Sequence, residues 1–243
     1  MKKIFHKRTW KTDAIFFGTV LFVNLFVGIA FLITNIKNPT DENLNNIDKI
    51  IALDSTSISI WGLWIASVYS AVGFYRSIKN KQSYCNIWVE FLSTSMQITS
   101  AILFLFLVIV KLATPITNWS IWLKIIDIHI FLPIMFLSYL VFFRTNIIIG
   151  QKQALKSMWR IGLIAFVYLF WIIFRVLPKV KDHLHFQQAF AFSTLYPEKI
   201  GWPIFILSLL GSLVLYIVMY WVVIQINNLV NKKDINYEAK INK

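Results

Sequence analysis

Acidic residues, cysteine and the usual nucleotide- and metal-binding signatures are all scarce in this 243-residue chain. Asp and Glu together number 11 against 24 Lys and Arg. A single cysteine, Cys85, permits no intrachain disulfide, and no Cys/His cluster has metal-ligand spacing, so a disulfide scaffold and a structural zinc module are set aside. There is no Gly-rich phosphate loop, no paired-cysteine redox motif and no Gly-x-Ser-x-Gly elbow, which removes the sequence grounds for an ATPase, an oxidoreductase or an α/β-hydrolase. Neither a metal nor an organic cofactor is expected. Internal repeats and paired Gly/Pro-broken segments in matching halves, which mark many secondary transporters, are also missing.

What the chain has instead is apolar length. Apolar residues make up 58% of it and charged residues 14%, gathered in long blocks and not in the short alternations of a soluble core. Six blocks approach or exceed the roughly 20 residues that a helix needs to cross a bilayer: Ala14 to Thr34, Ile50 to Phe74, Phe91 to Leu112, Ile121 to Phe143, Ile161 to Leu177 and Ile204 to Ile226. Backbone in lipid must satisfy its own hydrogen bonds, and no ten-residue alternation supports a barrel, so the blocks predict helices. The expected fold is an all-α, six-helix membrane bundle occupying 1–243 as one integral domain. The basic segment before the first block resembles the start of a secretory signal, but Phe31, Leu32 and Ile33 extend the apolar run beyond a signal's length, and a retained first helix is expected.

Charge gives the expected orientation. The net charge of +13 is not arranged along one helix face as for nucleic-acid binding; Lys and Arg gather at block ends. The N-terminus, the loop holding Arg76 and Lys79, the region from Arg144 to Arg160 and the C-terminus contain most of them. The intervening loops carry fewer, mixed with Asp41, Glu42, Asp48, Asp182 and Glu198. That asymmetry predicts both termini on the cytoplasmic side of a plasma membrane, with the lipid bilayer as the partner and no nucleic acid.

Ionisable groups at membrane depth are costly and therefore the first functional candidates. They are Asp54, Asp127, His129 and Arg175, all in the outer half on this topology. At a rise of ~1.5 Å per residue, His129 lies about 12 Å below Ile121, Tyr168 at about the same depth, and Thr56 about 9 Å in if its helix starts at Ile50. Arg175 is also explained by snorkelling to the interface, Asp54 by a helix that starts after it, and Ser55, Thr56, Ser57 and Ser59 by ordinary helix-start hydrogen bonding. His129 is mid-span and too short to snorkel.

Four patterns in order carry a family resemblance: Thr56-Ser57-Ile58-Ser59, His129-Ile130-Phe131-Leu132-Pro133, Tyr168 with Arg175 seven residues on, and Tyr196-Pro197. Together they resemble the androgen-induced-gene family of six-helix membrane proteins and its bacterial relatives. The resemblance implies an intramembrane lipid-ester hydrolase acting on fatty-acid esters of hydroxy fatty acids, with Thr56 as nucleophile and His129 as general base. The chemistry is coherent, since a hydroxyl becomes nucleophilic when an imidazole takes its proton. Tyr168 is the expected partner for the imidazole, Asp127 a weaker one because it lies two residues away on the same helix, and Arg175 an anchor for a lipid carboxylate or phosphate. Two non-enzymatic readings stand beside it: a lipid or small-molecule carrier using the same pocket, and a substrate-capture subunit of a membrane importer. The sequence leaves the oligomeric state open.

Overall fold

The computed structural model describes residues 6–37, 47–55, 57–109, 119–145, 147–171, 174 and 201–241. Long helices dominate: α1 (Trp10–Lys37), α2 (Ile47–Asp54), α3 (Ile58–Asn80), α4 (Ile87–Ile109), α5 (Trp119–Ile126), a π-helical turn (Asp127–Phe131), α6 (Leu132–Phe142), α7 (Gln151–Ser157), α8 (Trp159–Trp171) and α9 (Trp202–Ile241). A two-residue parallel pairing of β1 (His6–Lys7) with β2 (Phe143–Arg144) fastens the segment before α1 to the end of α6.

Among the described residues, five stretches are long and apolar enough to cross a membrane: Trp10–Thr34, Ile58–Asn80, Ile87–Phe106, Trp119–Phe142 and Leu210–Lys232. A multi-pass all-α membrane bundle follows. For the remaining expected span, 161–177, the structure describes α8 over 13 residues to Trp171. The expected span 50–74 is divided. Helix α2 stops at Asp54 and α3 starts at Ile58, with Ser57 extended (φ −84°, ψ 122°). The physical reason lies in Asp54, Ser55 and Ser57, short polar side chains that compete with helical backbone bonding and favour boundaries over interiors. Helix α9 is 40 residues long, about 60 Å at ~1.5 Å per residue, roughly twice a bilayer's hydrocarbon thickness.

The exterior is apolar and the interior partly polar, as lipid solvent requires. Ile15 and Phe22 are each 70% exposed, and Val68, Ile109 and Phe166 are also exposed. Among the described residues, the two largest buried aromatic and aliphatic clusters hold the bundle. One joins α1, α3 and α6 through Phe16, Phe17, Val20, Ala66, Tyr69, Leu132, Phe136 and Tyr139. The other joins α4 to α9 through Phe91, Leu92, Met96, Tyr216, Tyr220, Val223 and Ile224. Helices α1 and α3 approach closely because Gly73 faces the Phe17 ring, where a Cβ would stand 2.5 Å from it; small residues permit such contact where no hydrophobic drive separates helix from lipid.

Candidate functional site

Asp127 and His129 both fall in the π-helical turn, and the turn has a local cause. Pro133 has no N–H to donate to the carbonyl four residues back, at His129, and the helix widens so that the Leu132 N–H donates to the Asp127 carbonyl five residues back. The widened turn packs on α4 and also touches α1 and α3.

The two ionisable side chains face different surroundings. His129 lies against α4, with Nδ1 2.9 Å from the Ser100 Oγ and 3.2 Å from the Ser100 carbonyl oxygen. Phe104, one turn further along α4, stacks on the imidazole with ring centroids 4.4 Å apart. With the proton on Nε2, Nδ1 accepts from the Ser100 hydroxyl; with the proton on Nδ1, it donates to the carbonyl. Asp127 is 2% exposed, and neither carboxylate oxygen has a hydrogen-bond partner among the described residues. Both amide atoms of Gln97, buried on α4 against Gly62, share that condition, as do the hydroxyls of Ser93 and Thr94. Between Ser93 and Ser100, α4 turns Ser93, Thr94, Ser95, Gln97, Thr99 and Ser100 into the interior, while Ser95 and Thr99 return hydrogen bonds to their own helix. Helix α4 is therefore a polar spine at membrane depth.

Thr56 and Arg175 lie outside the described residues. The residues before Thr56 are well anchored. Asp54 pairs with Lys124 of α5, whose ammonium also stands 3.7 Å from the centre of the Phe31 ring. Ser55 accepts the Trp61 indole N–H at its carbonyl, 2.9 Å, and the Trp171 indole N–H at its hydroxyl, 2.7 Å. Tyr168 belongs to this aromatic group, edge-on to Trp61 with centroids 5.8 Å apart. The expectation that Tyr168 orients His129 is thereby corrected: the imidazole's partners are Ser100 and Phe104, because α4 and not α8 packs beside the π-helical turn. Asp127, two residues before His129, turns its carboxylate into the interior.

A second polar centre, at the opposite end of the bundle, was not among the sequence candidates. Arg8 reaches inward to Glu90 with both terminal nitrogens, one contact being 2.7 Å, and its Nε donates to the Phe143 carbonyl at 2.8 Å. Tyr69 donates to the same carboxylate at 3.1 Å, and the Cys85 thiol sits 3.7 Å from it. Asp13 accepts from the Tyr139 hydroxyl, from Ser83 Oγ at 2.6 Å and from the Tyr84 N–H at 2.8 Å. The Arg8 guanidinium lies 4.3 Å from the centre of the Tyr139 ring and so joins the two carboxylates into one network. Burial would lower the Arg8 pKa, but the Glu90 carboxylate outweighs it and the pKa is raised. The Cys85 thiol is pushed up to about 12, first by burial and then by Glu90. The available signal was the pair of acids in the first turns of α1 and α4; at span ends they pass for ordinary flanking charges.

Among the described residues, no group of three or more His, Cys, Asp or Glu side chains is placed to hold a metal ion. Comparisons with protein-family models, with characterised proteins and with solved structures give no match.

Proposed function

We propose that this chain is an intramembrane lipid-ester hydrolase with His129 as its general base. The observation that carries the reading is the Ser100 hydroxyl 2.9 Å from His129 Nδ1, within proton-transfer reach, on a partly exposed imidazole. An ester entering sideways from the bilayer meets the base without crossing water. The family resemblance supplies the nucleophile, Thr56. It follows the Ser55 anchor directly, and the preceding Asp54 is tied to Lys124, five residues before His129. The charge bias supports cytoplasmic termini in a plasma membrane, which puts the site in the outer leaflet.

Turnover of a fluorogenic long-chain ester by purified protein in nanodiscs tests the reading. Removing a general base costs about 10²- to 10⁴-fold, so His129→Ala is expected to lose at least about 100-fold with an unchanged melting temperature. Thr56→Ala is expected to lose turnover as well; loss in Ser100→Ala with full activity in Thr56→Ala would transfer the nucleophile role to Ser100. Equal turnover in wild type and His129→Ala sinks the proposal.

A second reading, ligand binding or carriage without turnover, is favoured by the Asp127 carboxylate and Gln97 amide, which have no hydrogen-bond partner among the described residues, since polar groups at membrane depth mark substrate and ion paths. It expects ligand-induced stabilisation that survives His129→Ala and falls in Asp127→Asn.

A further inference from the structure

We propose that Lys152, Lys156 and Arg160 form a binding site for the phosphate of an anionic phospholipid, in the leaflet at the end of the bundle that holds the N-terminus. The proposal is independent of any hydrolase activity. The three cations are spaced by four residues along α7 and into α8, and Met158 between the two helices keeps helical dihedrals (φ −65°, ψ −22°), so they line one side of an almost continuous helical path. Lys152 and Lys156 are exposed. The Arg160 guanidinium is held over two indoles, 4.8 Å from the centre of Trp88 and 5.3 Å from that of Trp159, while one nitrogen reaches the Ser157 carbonyl at 3.4 Å.

The neighbouring sequence supplies no negative charge. The sequence has no Asp or Glu between Asp127 and Asp182, and among the described residues none of the three cations has a carboxylate partner. A planar guanidinium fixed between aromatic faces is ordered before any phosphate arrives, which removes much of the entropic cost of binding one.

The neighbouring surface selects a lipid over a free anion. Leu155 is 64% and Trp159 59% exposed beside the lysines, and Ile147 and Ile148 are exposed at the head of the same segment. Apolar side chains alternating with cations at the mouth of a bundle suit the boundary between headgroups and acyl chains, where indoles and lysine stems are both at home. The segment is also rigidly mounted. Asn228 of α9 both donates to the Ile149 carbonyl (2.8 Å) and accepts its N–H (2.9 Å), and Asn227 donates to the Ile147 carbonyl at 2.9 Å. The cationic stripe is thereby fixed in height relative to the long C-terminal helix.

The test is thermal stabilisation of the delipidated full chain in neutral detergent, titrated with phosphatidylglycerol, with phosphatidylcholine and with inorganic phosphate. Wild type is expected to be stabilised by phosphatidylglycerol at concentrations where phosphatidylcholine has little effect. Each Lys or Arg near a charged leaflet contributes about 1 kcal/mol, so K152Q/K156Q is expected to weaken the apparent lipid affinity by more than 10-fold. Adding Arg160→Gln should remove the lipid preference. Both lysines are exposed, so the double variant is expected to melt like wild type without lipid, and Lys11→Gln, an exposed cation elsewhere at this end, to bind as wild type. The proposal is overturned by an unchanged phosphatidylglycerol preference in K152Q/K156Q, by equal losses in Lys11→Gln, or by inorganic phosphate giving the full stabilisation.

Discussion

The bundle has a polar centre towards each end, and the two are built on opposite terms. Around Arg8, Glu90 and Asp13, every carboxylate oxygen meets a donor, from a guanidinium, a tyrosine, a serine or a backbone N–H. Around the π-helical turn, Asp127 and Gln97 are as deeply buried yet have no hydrogen-bond partner among the described residues. A satisfied network makes a buried charge tolerable and locks the elements that supply its members, here the N-terminal segment, α3, α4 and α6. Polar groups left unmatched contribute no such lock and cost desolvation, a combination expected of residues kept for something other than stability.

The largest effect that separates the two centres is expected at Glu90. Glu90→Gln leaves the Arg8 guanidinium buried without its counter-charge, and breaking one side of a buried pair costs about 3–5 kcal/mol. Thermal unfolding in detergent should show a steep fall, with much of it recovered in the double variant Arg8→Met/Glu90→Met; a variant as stable as wild type would mean the network holds nothing. A matched pair of substitutions sharpens the contrast. Asp13→Asn puts an amide where three donors converge and is expected to cost about 1–3 kcal/mol. Asp127→Asn, the same chemical change, is expected to leave the melting temperature level or higher. Equal destabilisation by the two would erase the distinction between the centres. The smallest effect concerns the thiol inside the satisfied network. With its pKa pushed up to about 12, Cys85 holds its proton at pH 8, and thiols react as thiolates. Alkylation by iodoacetamide is therefore expected to be slow at pH 8 and to climb about tenfold per pH unit above it. A rate already level at pH 9 would contradict the burial and the Glu90 field that raise it.

Length made the spans legible, because about twenty apolar residues in lipid permit little except a helix. The division at Ser55 to Ser57 was half legible: the polar run is plain in the sequence, but whether a helix bridges it depends on the Asp54–Lys124 pairing and the two indoles that grip Ser55. His129 stood out in the sequence by its position, too deep to snorkel. Its partner was not, because a serine inside an apolar block costs little and leaves no mark, and only the packing of α4 on the π-helical turn singles out Ser100 from its neighbours. Six Ser, Thr and Gln residues between Ser93 and Ser100 were the available warning that α4 faces a polar interior. Arg8, Asp13 and Glu90 were hidden for the opposite reason: a charge near a span end has a ready explanation in topology, and nothing in one dimension says that three of them meet.

Pro133 has a consequence that reaches past its own missing hydrogen bond. A π-helical turn holds one residue more than an α-helical path over the same rise, so it acts as a phase offset between the two halves of a spanning helix. Below it, Phe136 and Tyr139 are in register with the aromatic cluster of α1 and α3; within it, Asp127 faces inward and His129 meets α4. Excision of a single residue from the turn would let it close to an α-helical path over the same rise, so the halves above and below it would keep their faces. Asp127 and His129, which lie inside the turn, would be the groups re-aimed. The bearing of both ionisable groups is thus written into the chain as a count of residues, separately from their identities.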